Sequence, residues 1–249
     1  MKERGLTFCQ ALVPAVLEGR KTVTRRLGGL NEINENPDDW RLSGTGPGVE
    51  AKTDEQGRWF FYRGYGGTGN VRLIRCPQGV PGDRFYMQEA WGLRYPDLQP
   101  FNQPAAFYGA WAKMVEASAG TRRPVAPLIP VYKADAAPQC DGPMENVRWR
   151  SGRFQPKWAC RPERWELVSI RPERVREITV EDICNEGVEF KPVFLRGVPA
   201  SLSINEAAYG AWKTCWNNIN AARGYAFERN NWVWREQWSP KPVAEKAGE

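Results

Sequence analysis

The apolar text of this sequence arrives in short bursts separated by chain breakers, and that pattern limits the fold more than any compositional total. Trp59-Phe60-Phe61-Tyr62, Val71-Arg72-Leu73-Ile74, Arg84-Phe85-Tyr86-Met87-Gln88-Glu89, Trp165-Glu166-Leu167-Val168-Ser169-Ile170-Arg171 and Trp232-Val233-Trp234-Arg235-Glu236-Gln237-Trp238 read as strands. Between the strands stand Gly28-Gly29, Asn34-Glu35-Asn36-Pro37, Gly64-Tyr65-Gly66-Gly67 and Pro81-Gly82-Asp83, the residue types that turn a backbone. Helical text is scarcer. Leu12, Val13, Val16 and Leu17 fit one face of a short helix, with Pro14 confined to its first turn and Gly19 as a left-handed stop. Thr179-Val180-Glu181-Asp182 is a capping box that opens a helix running through Ile183 and Cys184 to about Glu186, closed by Gly187. Ala207, Ala208, Ala211, Trp212, Cys215 and Trp216 place a last helix around 206–220, and a short one is expected around 107–116. This predicts an α+β, mainly β fold: a small barrel with helices packed outside it. No window holds eighteen consecutive apolar residues and no secretory leader precedes the first helix, so a cytoplasmic address without a membrane partner is expected.

The sequence contains 0 His, which removes Ser-His-Asp and Cys-His nucleophile systems, His-ligated metals and ordinary His-based RNA cleavage. Its 6 Cys form no CxxC pair and read as reduced, partly buried thiols. An enzyme built from these residues works with Lys, Thr, Ser, Tyr, Asp or Glu, or with a metal held by carboxylates; of these, a site with no metal and no cofactor is the reading taken. The balance of 35 Lys+Arg against 29 Asp+Glu gives +6, which suits an anionic partner such as nucleic acid and equally suits simple solubility.

Three features invite a chemical reading. Arg20, Lys21, Arg25 and Arg26 put four cations around Thr22-Val23-Thr24. Like charges nearby disfavour protonation of Lys21 and make it a candidate base; the alternative is a solvated basic edge. Glu186 ends a helix, where the macrodipole's negative end opposes a carboxylate. That placement suits a proton carrier, or it is an exposed helix end that tolerates the residue. Trp216-Asn217-Asn218-Ile219-Asn220 and Asn230-Asn231-Trp232-Val233-Trp234 alternate aromatics with amides, as a base-stacking surface does and as core tryptophans with turn asparagines also do.

These residues fall into a known pattern. Gly19-Arg20-Lys21-Thr22-Val23-Thr24-Arg25-Arg26 resembles the N-terminal signature of the ASCH domain, a member of the PUA-like superfamily. Pro81-Gly82-Asp83-Arg84-Phe85-Tyr86-Met87-Gln88-Glu89-Ala90-Trp91 is similar to a strand motif of that family, and Pro156-Lys157-Trp158-Ala159-Cys160-Arg161 to a further segment. Ile178-Thr179-Val180-Glu181-Asp182 through Glu186-Gly187 resembles its helix motif, and Trp216–Asn220 with Asn230–Trp234 its closing motif, with Asn231 where proline is usual. The resemblance implies one domain over residues 1–238, with insertions at about 28–70 and 94–153 and a flexible tail at 239–249. Long members of this kind are typical of bacteriophage and prophage genomes, so the host cytoplasm is the implied location.

The family is thought to bind RNA or modified nucleotides in a cleft, and one bacterial branch removes the acetyl group of N4-acetylcytidine. By resemblance Lys21, Thr24 and Glu186 are the catalytic residues of such an amidohydrolase. Arg20, Arg25, Arg26, Glu89, Trp91, Arg161 and Trp232 are the ligand-binding ones. Strict strand alternation would put Lys21 and Thr24 on opposite faces, so the scheme requires Lys21 to lie in the turn after Gly19. Two other readings stand beside it: a non-catalytic module in which the insertions engage a host protein, and an RNA-cleaving member of the family. The nucleobase and the oligomeric state are left open.

Overall fold

A computed structural model describes residues 1–45, 52–64, 71–94, 129–135, 149–194 and 199–242. The short helix expected around 107–116 and most of the 94–153 insertion lie outside them. The chain is a mixed α+β protein, with more of the described residues in strands than in α-helices.

The strands are β1 (Glu3–Thr7), β2 (Val23–Arg26), β3 (Arg41–Leu42), β4 (Phe60–Arg63), β5 (Arg72–Arg75), β6 (Arg84–Gln88), β7 (Trp91–Arg94), β8 (Ile129–Tyr132), β9 (Arg164–Arg174) and β10 (Trp232–Trp238). The helices are α1 (Val13–Leu17), α2 (Asn31–Glu35), α3 (Val180–Asn185) and α4 (Ala200–Asn220). Five strands form one sheet in the order β1-β6-β9-β10-β2, three form β3-β4-β5, and β7 pairs with β8. Among the described residues β1 does not pair with β2, so the large sheet is open at both edges. The strand β1, where the sequence gives only a short polar lead into the first helix, is an element the pattern did not announce. Both glycine stops are in place: Gly19 at φ +73 after α1 and Gly187 at φ +75 after α3, a region that costs a side-chain-bearing residue energy.

The chain divides into two compact units: Met1–Arg4 with Ala15–Phe85 and Glu163–Glu249, and Gly5–Pro14 with Tyr86–Pro162. In the first unit β10 is the central organiser, because its period of two sends successive residues to opposite faces. Val233 joins Leu27, Val175, Ile178 and Ile183 beneath the α4 stripe Ala208, Trp212, Trp216. Trp234 on the other face joins Ile170, Leu167, Leu30, Ile33, Trp40, Phe61 and Cys76. Leu30, Ile33, Trp40 and Phe61 come from the 28–70 region, so its described part belongs to the core of this unit. The second unit buries Phe8, Met87, Trp91, Ala159 and Cys160 and carries the β7–β8 pair. Cys9, Cys76 and Cys184 are free thiols, and burial pushes the Cys76 thiol up to about 12.

Candidate functional site

The chain from Gly19 to Arg26 is built to deliver four side chains to three places. Lys21 N–H donates to Ala15 O at 2.8 Å and Thr22 N–H to Asn185 O at 2.8 Å, which fixes the turn against the end of α3. The strand begins only at Val23, so Lys21 lies in the turn, as the sequence argument required. Within β2, Arg25 stands opposite Arg235 and Thr24 opposite Glu236 in antiparallel register with β10. Arg25 therefore faces α3 and α4, its guanidinium 5.7 Å from the Trp212 ring, whereas Thr24 and Arg26 face the other way.

Lys21 and Glu186, which sequence arguments singled out separately, meet in the interior. Lys21 is 1% exposed and Glu186 is 3% exposed. Lys21 Nζ lies 2.5 Å from Glu186 Oε2, 2.9 Å from Glu186 O and 2.8 Å from Val23 O. Three acceptors match the three protons of an ammonium. The same heavy-atom positions suit a neutral amine that donates to the two carbonyls and accepts from a protonated Glu186. The two forms differ by one proton moved along the 2.5 Å contact. Burial pushes the Lys21 pKa below its ordinary value against the attraction of Glu186, and the neighbouring Arg26 adds to the lowering.

Arg25 is the hub of the buried charges. Its side chain is 0% exposed and donates to Glu173 at 2.6 Å, Asp182 at 2.6 Å and Glu186 at 3.1 Å. Arg235 takes both oxygens of Asp182, at 2.8 and 2.7 Å, in the fork geometry that suits a carboxylate. Burial alone would raise the Asp182 carboxyl; the hydrogen bonds from Arg235 and the charge of Arg25 bring it down to about 2. Only half of the expected capping box forms. Thr179 Oγ1 accepts from Asp182 N–H at 3.1 Å, but the Asp182 carboxylate is turned into the ion network.

On the opposite face lies a residue that the sequence reading passed over. Glu236 is 0% exposed, accepts from Arg4 Nη2 at 2.6 Å through Oε2, and has Oε1 at 3.8 Å from Arg26 Nε with no hydrogen bond. Burial raises its pKa against the pull of Arg4 and Arg26, and Glu186 adds to the rise. The signal was there to read: Glu236 occupies the period-two row of Trp232, Trp234 and Trp238, where an acid has no packing role. Beside it Thr24 is 8% exposed, and its hydroxyl has no hydrogen-bond partner among the described residues. The expected Lys21–Thr24 proton contact is therefore not formed in this state.

The other expected ligand-binding residues have different surroundings. Arg20 points outward and pairs with Glu18 at 2.6 Å and Glu189 at 3.7 Å. Trp232 sits under the Arg174 guanidinium at 4.3 Å, packs edge-on to Phe61 at 5.1 Å, and has its backbone clasped by the Asn34 amide at 2.7 and 3.0 Å. Glu89, Trp91 and Arg161 lie in the second unit and gather there. Arg161 donates to Glu89 at 2.6 Å and Asp135 at 2.7 Å and stacks 4.2 Å from the Tyr132 ring, and Trp91 is buried against Trp158. Among the described residues no group of three or more His, Cys, Asp or Glu is placed to hold a metal, and no helix is long and apolar enough to cross a membrane. Comparison of the chain with models of protein families, with curated proteins and with solved structures finds no match.

Proposed function

We propose that this chain is an ASCH-type, PUA-like protein that recognises a modified nucleoside and hydrolyses the N4-acyl amide of N4-acetylcytidine. The observation that carries the reading is the direct contact of Lys21 with Glu186. The two positions lie 165 residues apart, each was singled out on its own physical oddness, and they meet at 2.5 Å as buried side chains. Arg25 and Lys21 hold the Glu186 carboxyl from two sides, which fixes its orientation.

The reaction starts from the form with a neutral Lys21 and a protonated Glu186, reached by a single proton shift. Lys21 turns its lone pair from Glu186 to the Thr24 hydroxyl and takes its proton as Thr24 Oγ1 bonds to the acetyl carbon. The tetrahedral intermediate expels the cytidine amine, which receives its proton from Glu186. Water then attacks the acyl-Thr24 ester and gives a proton back to Glu186; the Thr24 oxygen leaves with a proton from Lys21, acetic acid departs, and both groups return to their starting forms. The Arg26 side chain, a quarter exposed on the Thr24 face of β2, supplies a cation for the developing oxyanion.

The test is incubation of the purified protein with N4-acetylcytidine, with cytidine release followed by chromatography. Thr24→Val removes the nucleophile while keeping shape, and Lys21→Met removes the base. Release by the parent and none by either variant, with thermal melts showing Thr24→Val folded, is the expected result. Absence of release by the parent at high enzyme concentration overturns the reading.

A further inference from the structure

The segment from Trp149 to Pro162 in the second unit exposes aromatic rings on a backbone that is firmly held. Phe154 is 74% exposed and Trp158 is 44% exposed. A lone exposed aromatic is ordinary and asks for no explanation. Here two rings stand four positions apart, on two consecutive 3-10 turns, Gly152–Phe154 and Lys157–Ala159. The turns are tied down from below. Arg150 N–H donates to Trp91 O at 2.8 Å and Trp91 N–H returns a bond to Arg150 O at 3.1 Å. Gln155, 3% exposed, accepts from Glu89 N–H at 2.8 Å and donates to Ala159 O at 2.8 Å. Gly152 presses so closely on Glu89 that a Cβ there would fall 2.7 Å from its backbone nitrogen. Rings on such a scaffold are preorganised, so binding through them costs little ordering entropy.

The charged residues of the segment itself are of one sign. No Asp or Glu occurs between Trp149 and Pro162, and Arg150, Arg153 and Lys157 are exposed. The fourth cation, Arg161, is committed to Glu89 and Asp135. One cation lies against Phe154 and another against the ring next to Trp158. The Arg153 guanidinium lies 5.9 Å from the Phe154 ring. Arg150 lies 5.4 Å from the Trp91 ring that Trp158 meets edge-on at 6.1 Å. Exposed π-faces interleaved with cations complement a chain of phosphates carrying unstacked bases. A duplex, whose bases face each other, offers only its phosphates.

We propose that Arg150–Trp158 is a docking strip for single-stranded nucleic acid, with bases stacked on Phe154 and Trp158 and phosphates held by Arg150, Arg153 and Lys157. The strip stands on observations separate from the Lys21 site, and it extends the nucleoside reading from a free monomer to a polymer.

Fluorescence anisotropy with fluorescein-labelled single-stranded RNA, single-stranded DNA and duplex DNA of about 12 nucleotides tests it. The RNA and DNA arms distinguish the two polymers. Phe154→Ala/Trp158→Ala is expected to weaken single-strand binding about tenfold or more at every salt concentration while leaving the salt slope unchanged. Arg150→Ala/Arg153→Ala is expected to reduce the log–log salt slope by about 1.4, two phosphate contacts at about 0.7 each. All four side chains are exposed or at the surface, and near-ultraviolet circular dichroism checks that the fold is kept. Binding unaltered in the Phe154/Trp158 variant, duplex binding as tight as single-strand binding, or salt-independent binding typical of an apolar protein surface each overturns the strip. Hydrolysis of N4-acetylcytidine is measured in the same preparations. Strip-dependent binding without hydrolysis sinks the catalytic reading alone, and hydrolysis without strip-dependent binding sinks the strip alone.

Discussion

Replacing Arg25 by methionine removes one cation from among three buried carboxylates, and the structure says how much of that loss the neighbours absorb. Asp182 keeps the two-bond fork from Arg235, and Glu186 keeps Lys21 at 2.5 Å. Glu173 is left with Arg171 at 3.5 Å, half exposed, and Arg235 at 4.0 Å, so it becomes a buried carboxylate without a close partner. Stranding one partner of a buried pair costs about 3–5 kcal/mol. For a chain of this size each kcal/mol moves the melting point by about 2–4 °C, so a fall of roughly 6–20 °C is expected at neutral pH. Urea unfolding of parent and Arg25→Met at neutral pH should show the same loss, because the cost is that of a buried charge left without its cation. Arg25→Lys should fall between the two, because one ammonium cannot fork to three carboxylates. A loss below about 1 kcal/mol would refute the argument that Arg25 neutralises these groups.

Three further outcomes follow from the same geometry. Asp182 sits at about 2 in the fold against an ordinary 3.8, so its stabilisation is complete above the ordinary value and is lost as pH falls from about 4 to 2. That contribution is about 2 kcal/mol at 1.36 kcal/mol per unit, and acid titration of the unfolding midpoint should lose that limb in Asp182→Asn. Glu236 has the opposite sign: its folded pKa is raised above the ordinary 4.5, so the native state loses stability as pH climbs through that range. Glu236→Gln should match the parent near pH 4.5 and exceed it near pH 8 in urea midpoints; a variant weaker at pH 8 contradicts the burial argument. Gly187→Ala puts a Cβ at φ +75, 3.0 Å from Ala15 Cβ and 3.2 Å from Lys21 Cβ. It should cost about 1–2 kcal/mol in the left-handed region alone, and it should displace Lys21 and abolish cytidine release. Parent-like release would show that Lys21 placement is not critical.

Much of the backbone was legible because its signals are local. The extent of β10 follows from its alternation, the stops at Gly19 and Gly187 from a backbone region open to glycine, and the start of α3 from the Thr179 cap. The oddness of Lys21 and Glu186 was legible for the same reason: a cation among cations and an acid at a helix end are properties of neighbours in sequence. The second half of the Thr179 box was misjudged, because Asp182 had a stronger offer from Arg235 than from its own helix. The strand β1 was missed because its residues carry no apolar alternation, and pairing in the large sheet decides their conformation.

What the sequence could not hold was which face each member of the Arg20–Arg26 cluster would meet. Read along the chain, it is one patch of charge. In the fold, Arg20 turns outward to Glu18, Arg25 enters a nest of acids from β9 and α3, and Arg26 goes to the opposite face with Glu236. The period of a strand separates neighbours by the thickness of a sheet, and segments more than a hundred residues away supply what waits on each side. Local preference therefore set the elements and marked two unusual residues. Their meeting at 2.5 Å, and the burial of Glu236 that no charge count revealed, came from tertiary packing, which alone excludes water and gives those charges their strength.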